Sequence, residues 1–383
     1  MATTCDFLVI GGGIAGASAA YELAPVGRVI VLEREPWPGY HATGRSAAHF
    51  TETYGNAVIR RLVRAGRAFL EAPPEGFGDH PLLVPRGLIL VAGPGQEGAL
   101  ADAAAEAQKF TPSVRTISPQ EAIALVPVLR RDYVSAAIRE PDSRDIEVHG
   151  LHLGYLKGLK ARGGMLATDA EAVSIARTGG AWIVATRAGE FSAPVVINAA
   201  GAWADAVAGL AGVAPLGLTP KRRTVLVIDP PPGLDIASWP LVVDVAETFY
   251  FKPDAGRILA SPADATPSPP CDAQPEELDI ATGAARLEAA TTLKVERIAH
   301  KWAGLRTFAA DGTPVVGMDG EVEGFFWLCG QGGYGIKTAP ALSRATASLI
   351  SHDALPEDLV ELGLTAAELS PERLRGAAPT PAG

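Results

Sequence analysis

The chain has 383 residues, 48% of them hydrophobic, with 33 Lys and Arg against 43 Asp and Glu for a net charge of −10. That length exceeds two typical domains of roughly 150 residues and allows a sizeable core. The composition excludes wholesale disorder, and the acidity argues against nucleic acid or an anionic membrane surface as a partner.

From the amino terminus, Phe7–Ile10 is a short apolar run followed by Gly11-Gly12-Gly13-Ile14-Ala15-Gly16, and an alanine-rich segment with Tyr21 and Leu23 stops at Pro25. Val29–Leu32 is a second apolar run, closed by Glu33. The order reads strand, turn, helix, strand, and neither strand alternates, as in a parallel sheet covered on both faces. Leu88–Ala92, the largely β-branched run 224–228, residues 249–252 and the proline-rich stretch 261–275 have a different texture. They predict a second, more antiparallel unit inserted twice into the first. In residues 191–220 Asp205 is the only charge, but Pro194, Asn198, Gly201, Gly209, Gly212 and Pro215 interrupt the stretch. It reads as a buried strand, a glycine turn and an alanine-rich helix, not a membrane span. Phe325-Phe326-Trp327-Leu328 leads into the glycine-rich turn 330–335, and a helix is predicted over 338–350.

The fold class is therefore α/β with an α+β second domain. A Rossmann-like dinucleotide-binding domain takes residues 1–86, 141–219 and 312–375, a largely antiparallel substrate domain takes 87–140 and 220–311, and 376–383 form a disordered tail. Cys5, Cys271 and Cys329 make no CxxC and His149 and His152 find no third ligand, so neither a disulfide framework nor a metal is expected. Residues 1–10 lack the basic patch and apolar stretch of a signal peptide, and a cytoplasmic setting is expected.

Gly11, Gly13 and Gly16 supply a tight turn, close backbone approach to a pyrophosphate, and close helix–strand packing. Glu33 follows 22 residues after Gly11, where a carboxylate can accept hydrogen bonds from ribose hydroxyls. In this context the motif reads as a dinucleotide site. Residues 38–49, with Gly39, Thr43, Gly44, Ser46 and two histidines, are unlike a second nicotinamide-binding unit.

The fingerprint, Gly44-Arg45-Ser46, the strand ending Asn198-Ala199-Ala200-Gly201, and Gly332-Gly333-Tyr334-Gly335 together resemble the FAD-dependent amine oxidoreductases of the D-amino-acid oxidase, glycine oxidase and sarcosine oxidase superfamily. Within it, residues 39–49, 220–223, 249–253, 302–306 and 331–336 are similar to the bacterial D-arginine dehydrogenases. The resemblance implies non-covalent FAD held by Gly11, Gly13, Ile14, Ala15, Gly16, Glu33 and Arg34. It adds the run Ala42, Thr43, Gly44, Arg45, Ser46, Ala47, Ala48 and His49, and then Ala172, Gly201, Trp203 and Gly304. The last cofactor segment is Gly332, Gly333, Tyr334, Gly335, Ile336 and Lys337.

The same resemblance implies that Arg223, Arg306 and Tyr250 hold a substrate carboxylate. It places His49, Tyr54 and the Gly333 carbonyl around the amino group, and Thr51, Leu88, Leu241, Val243 and Ile336 along the side-chain pocket. Guanidinium suits that task, because its planar fork pairs bidentately with a carboxylate and stays charged. Taken singly, Arg306 would read as a surface ion pair, His49 as a satisfied buried histidine, Tyr250 as a strand aromatic and Lys221-Arg222 as a solvated basic face.

One position departs from the family. Where D-arginine dehydrogenases place a glutamate on the distal guanidinium, this chain has Leu88, and Leu241 and Val243 are apolar too. A guanidinium buried there without a counter-charge would be strongly penalised. Apolar D-amino acids are therefore expected as substrates, unless another acid such as Glu52 or Asp244 reaches the pocket. The implied reaction is hydride transfer from a D-amino acid with a neutral amine, giving an imino acid that water hydrolyses to a 2-oxo acid and ammonia. An oxygen-using D-amino acid or secondary-amine oxidase is one alternative, and a non-catalytic FAD-binding subunit of an electron-transfer complex another. The arginines argue against the second. Against a sarcosine-type oxidase stand the lack of a cysteine near 304–306 and of a lysine at Ile258, Leu259 and Ala260. A quinone is then a candidate electron acceptor, and a monomer or small homo-oligomer is expected.

Overall fold

In the computed structural model, which describes residues 2–375, two large sheets and two small ones carry the chain. The tail expected at 376–383 lies outside the described residues. The first large sheet has six strands in the order Met165–Ala167, Val29–Leu32, Phe7–Ile10, Val195–Asn198, Phe325–Cys329, Val315–Met318. All neighbours run parallel except the last pair. The inner strands are almost wholly apolar because both faces are covered. Leu8, Ile30 and Trp327 pack with Trp182 and Phe191 of a small four-stranded sheet, while Val9, Val31 and Phe326 pack against the helices Ile14–Leu23 and Gly335–His352.

The helix Gly335–His352 begins at Gly335, not at 338 as predicted, with Tyr334 at its N-cap. The glycine-rich run thus ends inside the first helical turn, and Gly335, Ile336 and Lys337 are presented from a helix end. No helix among the described residues is long and apolar enough to cross a membrane.

The second large sheet has nine strands. Its path is Thr266–Pro267, Thr219–Ile228, Arg257–Ser261, Tyr250–Asp254, Leu241–Asp244, Leu88–Ala92, Ala136–Glu140, Arg115–Ile117, and His300–Phe308 pairs along Thr219–Ile228. Every pairing is antiparallel except that between Leu241–Asp244 and Leu88–Ala92.

Side chains on a strand alternate between faces, and that alternation divides this sheet. Ile89, Val91, Val242, Phe251, Ile258, Ala260, Leu226 and Ile228 form a buried core with Leu287 of the helix Glu277–Ala290. The other face carries Leu88, Leu90, Leu241, Val243 and Tyr250, placed together by the pairs Leu241 with Leu88, Val243 with Leu90 and Val243 with Tyr250. Arg223 faces Gly304 and Lys221 faces Arg306 across the longest strand pair, so both arginines stand on one face, two residues apart along the ladder.

The reading of Lys221-Arg222 as a solvated basic face is corrected. Arg222 pairs with Glu276 and Asp279 and its side chain is only 11% exposed, while the Lys221 ammonium sits 5.4 Å from the Phe308 ring centre. The helix Glu277–Ala290 lies beside this strand and supplies one of the carboxylates, a partner that local sequence does not reveal.

Candidate active site

A cavity of about 510 Å³ runs from the Gly11–Ala15 turn to Arg223 and Arg306. At its first end Gly11 has φ +113°, and a Cβ there would fall into the Ala199 carbonyl; one on Gly16 would fall into the carbonyl of Gly11. Glycine is required at both places, for the turn and for the close seating of the helix on its strand. The Ile14 amide is held by Thr43 Oγ1 at 2.9 Å. Glu33 is buried, and its carboxylate accepts from the Gly12 and Glu35 amides at 2.9 Å each. Burial raises its pKa, and these two bonds oppose the rise. Its remaining lone pairs suit a ribose diol. The Arg34 guanidinium lies 4.9 Å from the Trp203 ring centre and pairs with Glu171, and Ala172 and Gly201 complete this wall.

Most of the expected cofactor positions line the cavity, but Gly16, Gly44 and Tyr334 do not. Gly44 closes a turn through its amide on the Gly39 carbonyl at 2.8 Å, and the Tyr334 ring packs 5.3 Å from that of Tyr54. Arg45 lines the cavity yet spends its guanidinium on the Ala273 and Ala303 carbonyls and on Asp272, tying its turn to the strand His300–Phe308 and to the segment 272–273. The residues present fit a dinucleotide: a glycine cradle, an acid placed for ribose, a helix amino terminus for the anion, and buried Gln331 Nε2, which lines the cavity with no hydrogen-bond partner among the described residues.

At the other end Arg223 and Arg306 line the cavity and, among the described residues, neither is paired with a carboxylate. Arg223 donates through Nε to the Asp264 carbonyl at 2.7 Å. Burial, and then the neighbouring charge of Arg306, push its pKa down from the usual arginine value. Two like charges held side by side in a cleft call for an anion between them. Tyr250 and the expected pocket residues Thr51, Leu88, Leu241, Val243 and Ile336 line the same cavity, with Leu90 added. Gly333 lies against the Arg306 guanidinium.

The polar wall differs from expectation. Thr51 and Thr53 both donate to buried Glu140 at 2.7 Å, and Glu140 stands directly opposite Leu88 in the strand pair. Burial raises the Glu140 pKa against the two hydroxyl bonds. Buried Lys337 lines the cavity, donates to the Thr51 and Tyr54 carbonyls at 3.2 and 3.3 Å, and has its pKa pushed down by burial to about 7. A lysine does therefore reach the cavity, from the helix Gly335–His352 and not from the strand Arg257–Ser261. The Tyr54 hydroxyl donates to Glu247 at 3.1 Å, and burial and that carboxylate raise its pKa.

Glu52 is engaged by Arg67 at 2.7 Å and Asp244 by Tyr133 and Thr248; neither lines the cavity. The acids near the pocket are Glu247, which lines it, and Glu140 behind the two threonines. His49 donates through Nδ1 to Asp145 at 3.2 Å, and its Nε2 is buried without a partner among the described residues. Sequence reading missed Glu140, Asp145, Glu247 and Gln331. Only the last two had a signal, Glu247 three residues before Tyr250 and Gln331 at the head of the glycine run.

The family model for FAD dependent oxidoreductases matches residues 6–349, and the chain belongs to that family. It is 24% identical over 382 residues to the mitochondrial dimethylglycine dehydrogenase of Rattus norvegicus, across 93% of this chain and 44% of that protein. The chain thus spans under half the length of the mitochondrial dimethylglycine dehydrogenases it matches. It is 24% identical over 384 residues to the glycine oxidase of Geobacillus kaustophilus, across 94% of this chain and 96% of that one. The crystal structure of L-proline dehydrogenase from P. horikoshii matches with a TM-score of 0.84 at 21% identity, covering 97% of this chain and 98% of that chain. The α/β fold with its mixed sheets is that of this family. Closeness to D-arginine dehydrogenases rests on the sequence runs alone.

Proposed function

We propose that this FAD-dependent oxidoreductase oxidises the α-amine of free D-amino acids with apolar side chains, yielding the imino acid and, after hydrolysis, a 2-oxo acid and ammonia. The observation that carries this reading is the pair of guanidinia, Arg223 and Arg306, on one sheet face of the cavity with no carboxylate partner among the described residues. A mere flavin carrier has no use for such a pair. An α-carboxylate between them would relieve their repulsion and accept bidentate, charge-assisted bonds, with the Tyr250 hydroxyl as a further donor.

When bound, FAD supplies the hydride acceptor. Gly11, Gly13, Glu33 and the amino terminus of Ile14–Leu23 would hold its pyrophosphate and ribose, with Gly332–Lys337 at the far end. The protein's own part is orientation. Clamping the carboxylate fixes the amino acid in one pose, and His49 Nε2 offers an acceptor for the amine. Leu88, Leu90, Leu241 and Val243 present an apolar wall to the side chain. We assign residues 2–86, 141–219 and 312–375 to the cofactor domain and 87–140 and 220–311 to the substrate domain.

The relatives named above act, by their names, on glycine, dimethylglycine and L-proline, all carrying a carboxylate beside the nitrogen. D-selectivity is supported by the similarity to D-arginine dehydrogenases. The test is a panel of D- and L-amino acids with glycine, sarcosine, dimethylglycine and L-proline, scored by anaerobic bleaching of bound flavin and by peroxide in air. D-leucine, D-methionine and D-phenylalanine should bleach fastest, with little peroxide. Faster bleaching by L-proline or dimethylglycine would overturn the assignment, and rapid peroxide release would make the protein an oxidase.

A further inference from the structure

Resting on the amine-oxidising reading above, we propose that Asp145 is a positioning residue that fixes the tautomer of His49, so that the imidazole turns a bare Nε2 toward the substrate amine. His49 and Asp145 are register partners in a small three-stranded sheet, and Nδ1 lies 3.2 Å from Oδ1. An ionised carboxylate only accepts, so Nδ1 carries the proton and Nε2 the lone pair. That Nε2 is buried, lies on a residue lining the cavity, and has no partner among the described residues. A buried acceptor left open in a cleft is completed by a ligand's N–H.

Asp145 is itself held in place. Lys252 donates to its Oδ1 at 2.7 Å from the strand Tyr250–Asp254, and Arg86 donates to Oδ2 at 2.7 Å from beside Leu83–Pro85. Two cations already sit on one carboxylate before the imidazole is counted, so a protonated His49 would be surplus charge. The charged groups facing the ring are Asp145 on its partner strand, Lys252 on the substrate sheet and Lys337 on the helix Gly335–His352. Burial lowers the imidazole pKa, Asp145 opposes that, and the two lysines add to the lowering.

The same surroundings disfavour an ammonium. A neutral amine giving one N–H to Nε2 keeps its lone pair free for the C=N bond that forms as the hydride leaves. Asp145 acts on the amine only through His49.

The test uses the FAD-loaded protein labelled with 15N-histidine, with His49 assigned from its missing signal in His49→Asn. In the unaltered protein His49 should be neutral with its proton on Nδ1. Asp145→Asn, whose amide can donate to Nδ1, should move the proton to Nε2 and lower kcat/KM by on the order of 10²-fold, the scale set by a misplaced acceptor. Lys252→Met should act oppositely on titration, raising the His49 pKa and moving the acidic limb of kcat/KM to higher pH. A native Nε2–H tautomer, or a Lys252→Met protein with an unmoved His49 titration, would overturn the proposal even if Asp145→Asn does not fold. The tautomer is read without substrate, so a protein that oxidises no D-amino acid yet keeps this tautomer refutes the function and spares the positioning of His49.

Discussion

Replacing Leu88 with glutamate puts a second carboxyl directly opposite Glu140 in the antiparallel pair between Leu88–Ala92 and Ala136–Glu140. Side chains in that relation stand about 5 Å apart, and two full negative charges at that distance repel by about 3 kcal/mol at an effective dielectric constant near 20. With the pocket empty, that repulsion and the burial of Glu140 both favour a proton on one of the two carboxyls. A guanidinium entering the pocket cancels the repulsion, and the new acid ionises as it binds. D-Arginine should gain roughly 1.5–3 kcal/mol from the charged hydrogen bonds, while D-leucine should lose about 0.8 kcal/mol for each methylene that no longer meets an apolar wall. The D-arginine to D-leucine ratio of kcat/KM should shift by on the order of 10²-fold at pH 7 and further as pH rises, since proton loss helps only the cation. Steady-state kinetics of Leu88→Glu, alone and with Glu140→Gln, measure this. The double variant should keep the gain but lose its extra pH dependence. A folded, FAD-loaded Leu88→Glu protein with an unchanged ratio would show that the side chain of the substrate does not meet this face of the sheet.

Arg306→Lys should lower kcat/KM by roughly 2–4 kcal/mol through loss of bidentate, charge-assisted bonding, with the flavin absorbance of the purified protein unchanged. Acid precipitation should release FAD into the supernatant, because no cysteine lies near 304–306 and flavin left in the pellet would mean a covalent link elsewhere. Burial alone would raise the Asp145 pKa, but the bonds and charges of His49, Lys252 and Arg86 hold it below its ordinary 3.8. The folded-state pKa being the lower one, this stability is present well above pH 3.8 and lost as pH falls below it. Urea unfolding should accordingly find Asp145→Asn destabilised by about 3 kcal/mol at pH 7, with the gap closing in acid.

The amino-terminal unit was legible because its signals are local. Phe7–Ile10, the glycine turn, Ile14–Leu23 and Val29–Leu32 lie within a few dozen residues, and the steric demands that fix Gly11 and Gly16 act between groups close in sequence or in one sheet. The face proposed to meet the substrate was legible at one remove. The similarity of residues 220–223, 249–253 and 302–306 to one group of proteins nominated Arg223, Tyr250 and Arg306, and the structure brings all three to one cavity. The predicted start of the helix Gly335–His352 falls three residues late because a run of glycines reads as a turn, whereas Gly335 is accepted into a helix whose N-cap is an aromatic residue with no capping side chain.

The acids were not legible for a different reason. Glu140 matters because its strand pairs with Leu88 in a register that brings the two opposite, and Asp145 because its strand pairs with His49, contacts spanning 52 and 96 residues of chain. Nothing near either carboxylate marks it. A slip of one residue in either pairing would turn the side chain to the other face, and Glu140 would then enter the apolar core that holds Ile89, Val91 and Ala137. The same alternation that stores Ile89 and Val91 on one face delivers Leu88, Leu90 and Glu140 to the other. Core and site are thus set by one register, and a residue's role on that sheet depends on parity before it depends on chemistry. Leu88 illustrates the point: with Leu241 and Val243 it made the pocket look wholly apolar, while its cross-strand neighbour is a carboxylate whose charge is shared with Thr51 and Thr53. Those hydroxyls point their protons at Glu140 and so offer the cavity only lone pairs. An apolar side chain would fit beside them at little cost, one ending in a hydrogen-bond donor would also be accepted, and one ending in a carboxylate would find no donor in these two hydroxyls.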